Sequence, residues 1–519
     1  MPLIAVLSSL FGEYSDNWSH LYNYVLFDYM KNSAVLVFGV SIMALIIGAG
    51  SAWLVSNFDF LGKRFFEWAL ILPLSIPPYI LAYTFTGLFD SYGTLNNLIR
   101  NIFELEQSYI FFPSIRNIWG AILVFSFTLY PYIYLVTRSA FLNQSRSTLE
   151  AGRILGLSRF EISFKLAMPM IRPAIIGGLM LVIMETLSDF GAVEHFSIPT
   201  FTTGIFRTWY GMGDLLTAMQ LSSFLLILIA IFLFIENKSR RNADFVSDSS
   251  THRPIQIERL NSKYSVLAFV FCSIPLLVGF ILPTSELLVW AIYYNPSFFD
   301  DRFLDAAINT ITLALIAAVL CSMIALLINF SVRINKNKIL KILSSFLSIG
   351  YALPGLILAV GIVQTTTFID SSLLNKTSLA LTGSVFGLVL AYIIKSYALS
   401  NNTISSGMEK ISMGIDNSAR VLKSSGWNLL GRIHFPLLKT SFFTSIMLVI
   451  SEVVKELPAT LILRPFNFDT LAVSTYIYAA EERMRDAAAP SIAIIIVGLI
   501  PIIIITRMIR SSREKGTMQ

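Results

Sequence analysis

Charge is scarce in this chain. Only 13% of its 519 residues are Asp, Glu, Lys or Arg, roughly half the ~25% of an ordinary soluble domain. Cysteine is nearly absent: Cys272 and Cys321 stand 49 positions apart inside apolar runs. That excludes a disulfide framework and a CxxC metal site, and both read as small buried hydrophobes. The four histidines, His20, His195, His252 and His434, are scattered without ligand spacing; His434 reads as a surface contact. No G-x-x-x-x-G-K-[ST] loop occurs, so the chain does not bind and hydrolyse ATP by that route. Gly211-Met212-Gly213 lacks a third glycine and carries no argument. No nucleophile constellation is visible, so no catalytic residue is assigned, and neither a nucleic-acid partner nor a cofactor in this chain is expected.

Apolar residues, by contrast, make up 55% of the chain, with 40 Phe, 20 Tyr and 7 Trp, and they come in unbroken blocks. A span needs about 20 apolar residues, and lone strands cannot cross lipid because unpaired backbone groups there are too unfavourable. Candidate helices lie near 34–55, 67–89, 117–137, 172–190, 217–236, 264–284, 304–330, 342–366, 378–399, 438–456 and 489–508, eleven in all. The expected fold is an all-α polytopic membrane protein bathed in lipid. Prolines such as Pro77, Pro78 and Pro354 are read as lying inside helices, tolerated where neighbours satisfy the freed carbonyls. Alternate loops carry 27 Lys and Arg against 9 on the other side, with Lys395 and Lys455 assigned to helix ends. The positive-inside rule then puts the C-terminus in the cytoplasm and the N-terminus outside.

The polar stretch 237–263 divides the chain into a first bundle, 1–236, and a second, 264–519. The halves repeat. At an offset of 267, Pro169 meets Pro436, Asp189 meets Glu456, Thr203 meets Thr470 and Asp214 meets Glu481. At 277, Asn32 meets Asn309, Pro77 meets Pro354, Leu81 meets Leu358 and Ala82 meets Ala359. Matched loops share a side of the membrane, so the repeats are expected to be parallel, two homologous bundles related by an axis along the membrane normal; inverted repeats would have opposite sidedness. Helix 264–284 finds no counterpart in the first half, which leaves eleven spans, or twelve if the start is placed too late.

Two cytoplasmic loops, 147–170 and 414–437, stand out. In the first, Glu150-Ala151-Gly152 leads to Gly156 and then Met168-Pro169: a short polar helix, a glycine turn and an amphipathic segment ending at proline. This loop resembles the EAA loop of ATP-binding-cassette importer permeases, departing from it at Gly152, Ala167 and Met168. The second copy, Asn417-Ser418-Ala419, Lys423, Ile433, Phe435 and Pro436, has Asn for Glu and Lys for Gly, so its turn is expected to form without glycine. The segments Thr186–Val193 with Thr200–Arg207, and Lys455–Leu461 with Arg464–Ala472, are similar to the fused two-half permeases of ferric-iron importers, over nearly the whole chain. The resemblance implies a cytoplasmic ATPase dimer, which would hold the ATP and Mg, and a ferric-iron-binding protein on the outer side of a bacterial inner membrane. It also implies that Glu150, Ala151, Gly152, Gly156, Pro169, Asn417, Ser418, Ala419 and Pro436 couple to the ATPase. The same plan serves permeases for thiamine, a polyamine or an oxyanion; an ion-gradient secondary transporter is the alternative from another class.

Glu185, Asp189, Glu452, Lys455 and Glu456 fall in or at the outer ends of two of these helices. Ionisable groups at such depth face a cavity or one another. Asp189, Gly191, Glu452 and Glu456 are the candidates for the translocation path; pairing with Lys455 as structural glue is the alternative. Oxygen ligands suit a hard cation, but a conduit must release what it admits, so no tight metal site is expected. Tyr79, Tyr83, Tyr130, Tyr132 and Tyr134 read as packing or interfacial aromatics.

Overall fold

The structure, a computed structural model, describes residues 2–107, 109–142, 154, 156, 161–241, 258–294, 300–335, 338–372, 380–422, 424 and 426–516. It is helical almost throughout. The strands among the described residues are a two-residue parallel bridge, Phe58–Asp59 with Glu258–Arg259.

Among the described residues, eight helices are long and apolar enough to cross a membrane, and a ninth span results if one bent pair is counted. Eleven were expected, and the differences have physical causes. The segment 67–89 is no single helix: Lys63–Ser75 and Pro78–Phe103 meet at 91°. Pro77 takes an extended conformation there, φ −60° and ψ 148°, because proline lacks an N–H and biases the residue before it away from helix. The segment 342–366 breaks in the same way, into Lys338–Ser348, a 3₁₀ turn at Ile349–Ala352, and Gly355–Ser372. Pro77 and Pro354 thus stand at the breaks just before helix starts, and Pro78 opens a helix, rather than lying in a helix interior. Helix Val385–Glu409 is 25 residues long, but Ser396, Ser400, Asn401, Asn402 and Thr403 dilute its apolar character. The last helix, Ala488–Gly516, is 29 residues long, and its apolar stretch is Ala488–Ile504.

The chain forms two compact units, Glu13–Tyr294 and Met1–Gly12 with Asn295–Gln519. The boundary therefore lies at Tyr294, not in the polar stretch 237–263, of which 242–257 lies outside the described residues. The reason is packing. Ser262–Leu276 runs on through Leu282–Val289 to Tyr294, and this long helix rests on Pro78–Phe89 and Leu26–Asn57 of the first half. Gly87 lies directly against the Trp290 ring, where a Cβ would collide.

The other unit shows the matching arrangement. Helix Pro2–Ser8 packs on Gly355–Ser372, and a Cβ on Gly361 would come within 2.7 Å of the Pro2 carbonyl oxygen. An offset of 277 carries Pro78–Phe89 onto the start of Gly355–Ser372, and residues 2–8 onto 279–285. The helix with no visible partner in the sequence thus has one in the fold: residues 2–8 sit on the second bundle as the end of 262–294 sits on the first.

The repeat itself is written in hydrogen bonds. Asn32 donates to the Pro199 carbonyl at 3.1 Å and Asn309 to the Asp469 carbonyl at 3.0 Å. Ser33 accepts from the Phe201 N–H at 3.4 Å and Thr310 from the Leu471 N–H at 2.8 Å. Thr200 and Thr470 are the N-caps of Phe201–Phe206 and Leu471–Ala480. Thr470 therefore corresponds to Thr200, not Thr203, and the offset here is 270. Asp214 shifts too. It caps Leu215–Arg241 through the Thr217 N–H at 2.9 Å, a place held before Ala488–Gly516 by Ala487, whereas Glu481 ends a different helix. Cys272 and Cys321 are fully buried.

Candidate coupling and translocation site

Glu456 follows helix Phe435–Val454 and precedes the short helix Pro458–Leu463. It is buried, 7% exposed, and accepts from the Ala459 N–H at 3.2 Å, so it caps that helix. A carboxylate there is favoured by the helix dipole. Its other oxygen is paired with Lys395. The sequence reading placed Lys395 at a helix end, but Val385–Glu409 continues fourteen residues beyond it, so the ammonium sits mid-helix. A charge there needs a partner, and Glu456 supplies it. One turn earlier Glu452 pairs with Lys455 at 3.0 Å. Pairing, the alternative reading for these acids, is what the side chains of this unit make.

Gly355 explains why the broken span ends as it does. A Cβ on it would overlap the Glu456 carboxylate and come within 3.1 Å of the Ala459 N. Only glycine lets the new helix Gly355–Ser372 begin against the carboxylate. Thr460 donates to the Glu456 carbonyl at 2.8 Å and shares a 2.7 Å hydrogen bond with Tyr392.

In the other unit, Asp189 ends helix Met168–Ser188 and accepts from the Ala192 N–H at 2.9 Å. It caps Gly191–His195 as Glu456 caps its own short helix, so the pairing of these two carboxylates across the repeat holds in three dimensions. Gly191 is the buried first residue of that helix. Thr202 donates to the Asp189 carbonyl at 2.7 Å. The short helix packs on Pro78–Phe89, with a 2.9 Å bond between His195 Nε2 and Thr86. The position matching Lys395 is Thr128, which turns back to its own helix at Val124. Tyr79, Tyr83, Tyr130 and Tyr134 are buried packing residues of this unit. Among the described residues no three His, Cys, Asp or Glu side chains come together as metal ligands.

Glu150, Ala151 and Gly152 lie outside the described residues. Gly156 is described: φ is +76°, and no described residue lies within 4 Å of where its Cβ would be. Pro169 and Pro436 each stand second in their helices, Met168–Ser188 and Phe435–Val454, where a missing N–H is harmless. Each follows a wide π-type turn, Ile162–Ala167 or Leu430–His434. In the second loop, Asn417, Ser418 and Ala419 form helix Met413–Val421. Asn417 and Ser418 face outward and Ala419 inward. Lys423 lies outside the described residues, but a left-handed glycine is present after all: Gly426, φ +55°. The turn was expected to lack glycine; the glycine has moved three residues on. Val421, Leu422 and Trp427 are 83%, 81% and 76% exposed, an apolar tip on a polar loop.

His434 corrects the sequence reading most plainly. It is 0% exposed, with Nε2 2.9 Å from Asp416 Oδ1, and Asp416 is gripped on its other side by Arg333 at 2.7 Å. No spacing rule connects positions 333, 416 and 434, and the sequence reading missed the cluster.

Polytopic helices, paired halves, capped carboxylates at the ends of matched helices and proline-terminated loops together define an inner-membrane permease, a transport component rather than an enzyme. Residues 31–238 match the family described as binding-protein-dependent transport system inner membrane component. The chain is 23% identical over 482 residues to the Fe(3+)-transport system permease protein FbpB 2 of Haemophilus influenzae, covering 92% of this chain and 89% of that one. It is 22% identical over 520 residues to the ferric transport system permease protein FbpB of Actinobacillus pleuropneumoniae, covering 94% and 73%. The sulfate transport system permease protein CysT of Escherichia coli matches at 23% over 194 residues, 37% of this chain.

Proposed function

We propose that this permease carries ferric iron inward, driven by a separate cytoplasmic ATPase dimer that holds ATP and Mg, and loaded by a ferric-iron-binding protein on the outer side. The observation that carries the substrate is extent of likeness. The two ferric permeases align with 92% and 94% of the chain, through both halves, whereas the sulfate permease aligns with 37%. The positive-inside count puts the coupling loops and the C-terminus in the cytoplasm and the N-terminus outside.

The proposed cycle follows from linkage. ATP changes the conformational balance only if it binds the two states unequally. Closing of the ATPase dimer would move loops 147–170 and 414–437, and the transmembrane helices joined to them would turn the path from inward-facing to outward-facing. The outward tip of Val421, Leu422 and Trp427 suits docking on a protein surface. Asp189, Glu452 and Glu456 would then pass the ion by weak, replaceable oxygen contacts, since a conduit must bind without trapping. In this reading Lys395 and Lys455 hold the charge of the second half's acids in check between ions.

Uptake of labelled ferric iron tests this in cells lacking the gene, rescued by wild type or by Gly156→Trp at matched membrane levels, with labelled thiamine and sulfate in parallel. Wild type restores iron uptake and Gly156→Trp does not. Rescue by both would refute the role of the first loop. Failure of wild type to restore iron, with the ATPase and binding protein present, would refute the substrate.

A further inference from the structure

Behind the second coupling helix lies a buried polar cluster where the first half has apolar packing. In the first half, Phe141, Ala167 and Ile171 form a buried core with Trp53 against it. The repeat offsets carry these four positions onto Met408, His434, Leu438 and Phe330. Those residues do pack in the same way: Leu438 is 1% exposed, and Phe330 lies edge-on to the His434 ring at 5.3 Å. Into this setting the second half brings two further groups. Arg333 stands where the first half has Ser56, and Asp416 where it has Leu149.

Arg333, near the end of helix Asp301–Asn335, spends its whole guanidinium on one place. Nε donates to Asp416 Oδ2 at 2.7 Å. Nη1 donates to the Met408 carbonyl at 2.6 Å, and Nη2 to the Ile411 carbonyl at 2.8 Å. Met408 lies in the last turn of Val385–Glu409, where a cation is favoured, and Asp416 lies in the first turn of Met413–Val421, where an anion is favoured. His434 closes the ring from the third side, with Nε2 on Asp416 and Nδ1 3.3 Å from Met408 Sδ. Four helix ends meet at one carboxylate.

We propose that Arg333, Asp416 and His434 are positioning residues that clamp the second coupling helix to its transmembrane helices, so that Met413–Val421 and helices 301–335, 385–409 and 435–454 move as one body. The proposal rests on the permease reading above for its consequence, transmission of ATP-driven motion, but not for the clamp itself. It also accounts for a loop that has lost the acidic residue of its pattern, Asn417 standing where Glu150 stands in the first copy. Asp416, one position earlier, turns inward and fixes the helix. Lysine at 333 could not replace arginine here, because a point charge cannot serve three acceptors in the fixed plane of a guanidinium.

The test uses the full chain in nanodiscs, alone and assembled with its ATPase and binding protein. In Arg333→Ala, amide exchange across 413–421 should rise about tenfold, equivalent to about 1.4 kcal/mol, while helices 355–372 and 458–463 keep their protection. In the assembled complex, ions moved per ATP hydrolysed should fall by about the same factor. Arg333→Lys should recover only part of either loss, and His434→Gln, whose amide still donates to Asp416, should recover most of what His434→Ala loses. Unchanged exchange across 413–421, or a rise spread evenly over the unit, would overturn the clamp. An unchanged transport-to-hydrolysis ratio despite a loosened helix would overturn its coupling role. A wild-type complex whose ATP hydrolysis ignores the loaded binding protein would instead count against the permease cycle, and exchange would still decide the clamp.

Discussion

Replacing Lys395 with methionine removes one member of a buried ion pair and leaves the other in place. Glu456 is 7% exposed and would keep one hydrogen bond, from the Ala459 N–H at 3.2 Å. Breaking a buried pair from one side destabilises by about 3–5 kcal/mol, because the desolvated charge that remains has lost its compensation. The surviving hydrogen bond argues for the lower end, about 3 kcal/mol. Spread over a unit of 237 residues, at about 2–4 °C per kcal/mol, that is a fall of about 6–12 °C in the midpoint of thermal unfolding. The assay is the melting of the full chain in detergent, followed by loss of the monodisperse peak on size exclusion. The double variant Lys395→Met/Glu456→Gln is the deciding arm. Removing both charges also removes the penalty, so it should recover most of the loss, since apolar or neutral replacements of a whole buried pair are often nearly neutral. A single variant within about 2 °C of wild type, or a double variant as low as the single, would refute the account of Glu456 as a buried, Lys-compensated carboxylate.

Gly355→Ala should destabilise by about 1–3 kcal/mol, because its Cβ must push the Glu456 carboxylate or the Ala459 backbone aside; Gly431→Ala, with nothing within 4 Å, should be neutral or slightly stabilising in the same melting assay. Asp214 gives a pH test. Burial pushes its carboxyl up, but hydrogen bonds from Ser15, the Thr217 backbone, Asn17 and the Thr217 hydroxyl outweigh that and bring it down to about 2. A depressed carboxylate stabilises above the ordinary Asp value of about 4 and loses that contribution as pH falls toward about 2. Exchange protection of residues 13–20, corrected for intrinsic rates, should therefore drop across that window in wild type and show no such step in Asp214→Asn.

The class of this protein was legible in its sequence because lipid imposes a simple rule: about 20 apolar residues and no unpaired backbone. Composition and runs alone gave the all-α polytopic fold. The repeat was legible for a related reason. Features with a local cause, such as Pro169 and Pro436 at the second position of a helix or Asp189 and Glu456 capping the helix that follows them, recur at one offset because each half needs them at the same point in the chain. Where the intervening loop differs in length, that register fails: Thr470 pairs with Thr200 only because Asn32 and Asn309 reach across to the carbonyls just before them.

What the tertiary structure decided are the matters that hang on contacts far apart in the chain. Whether a proline bends a helix or breaks it depends on what packs at the break, and at Gly355 that is a carboxylate 101 positions away, lying where a Cβ would be. Lys395 reads as a helix-end charge in the sequence, but its helix runs on past it and Glu456, from another helix end, is its partner. His434 looked like a surface residue because a histidine in a polar loop usually is one; Arg333 and Asp416, 101 and 18 positions away, make it a buried one. The membrane's demand acts on composition, residue by residue, and sequence carries it. The pairing of charges beneath that surface is a matter of which helices become neighbours, and only the fold makes them so.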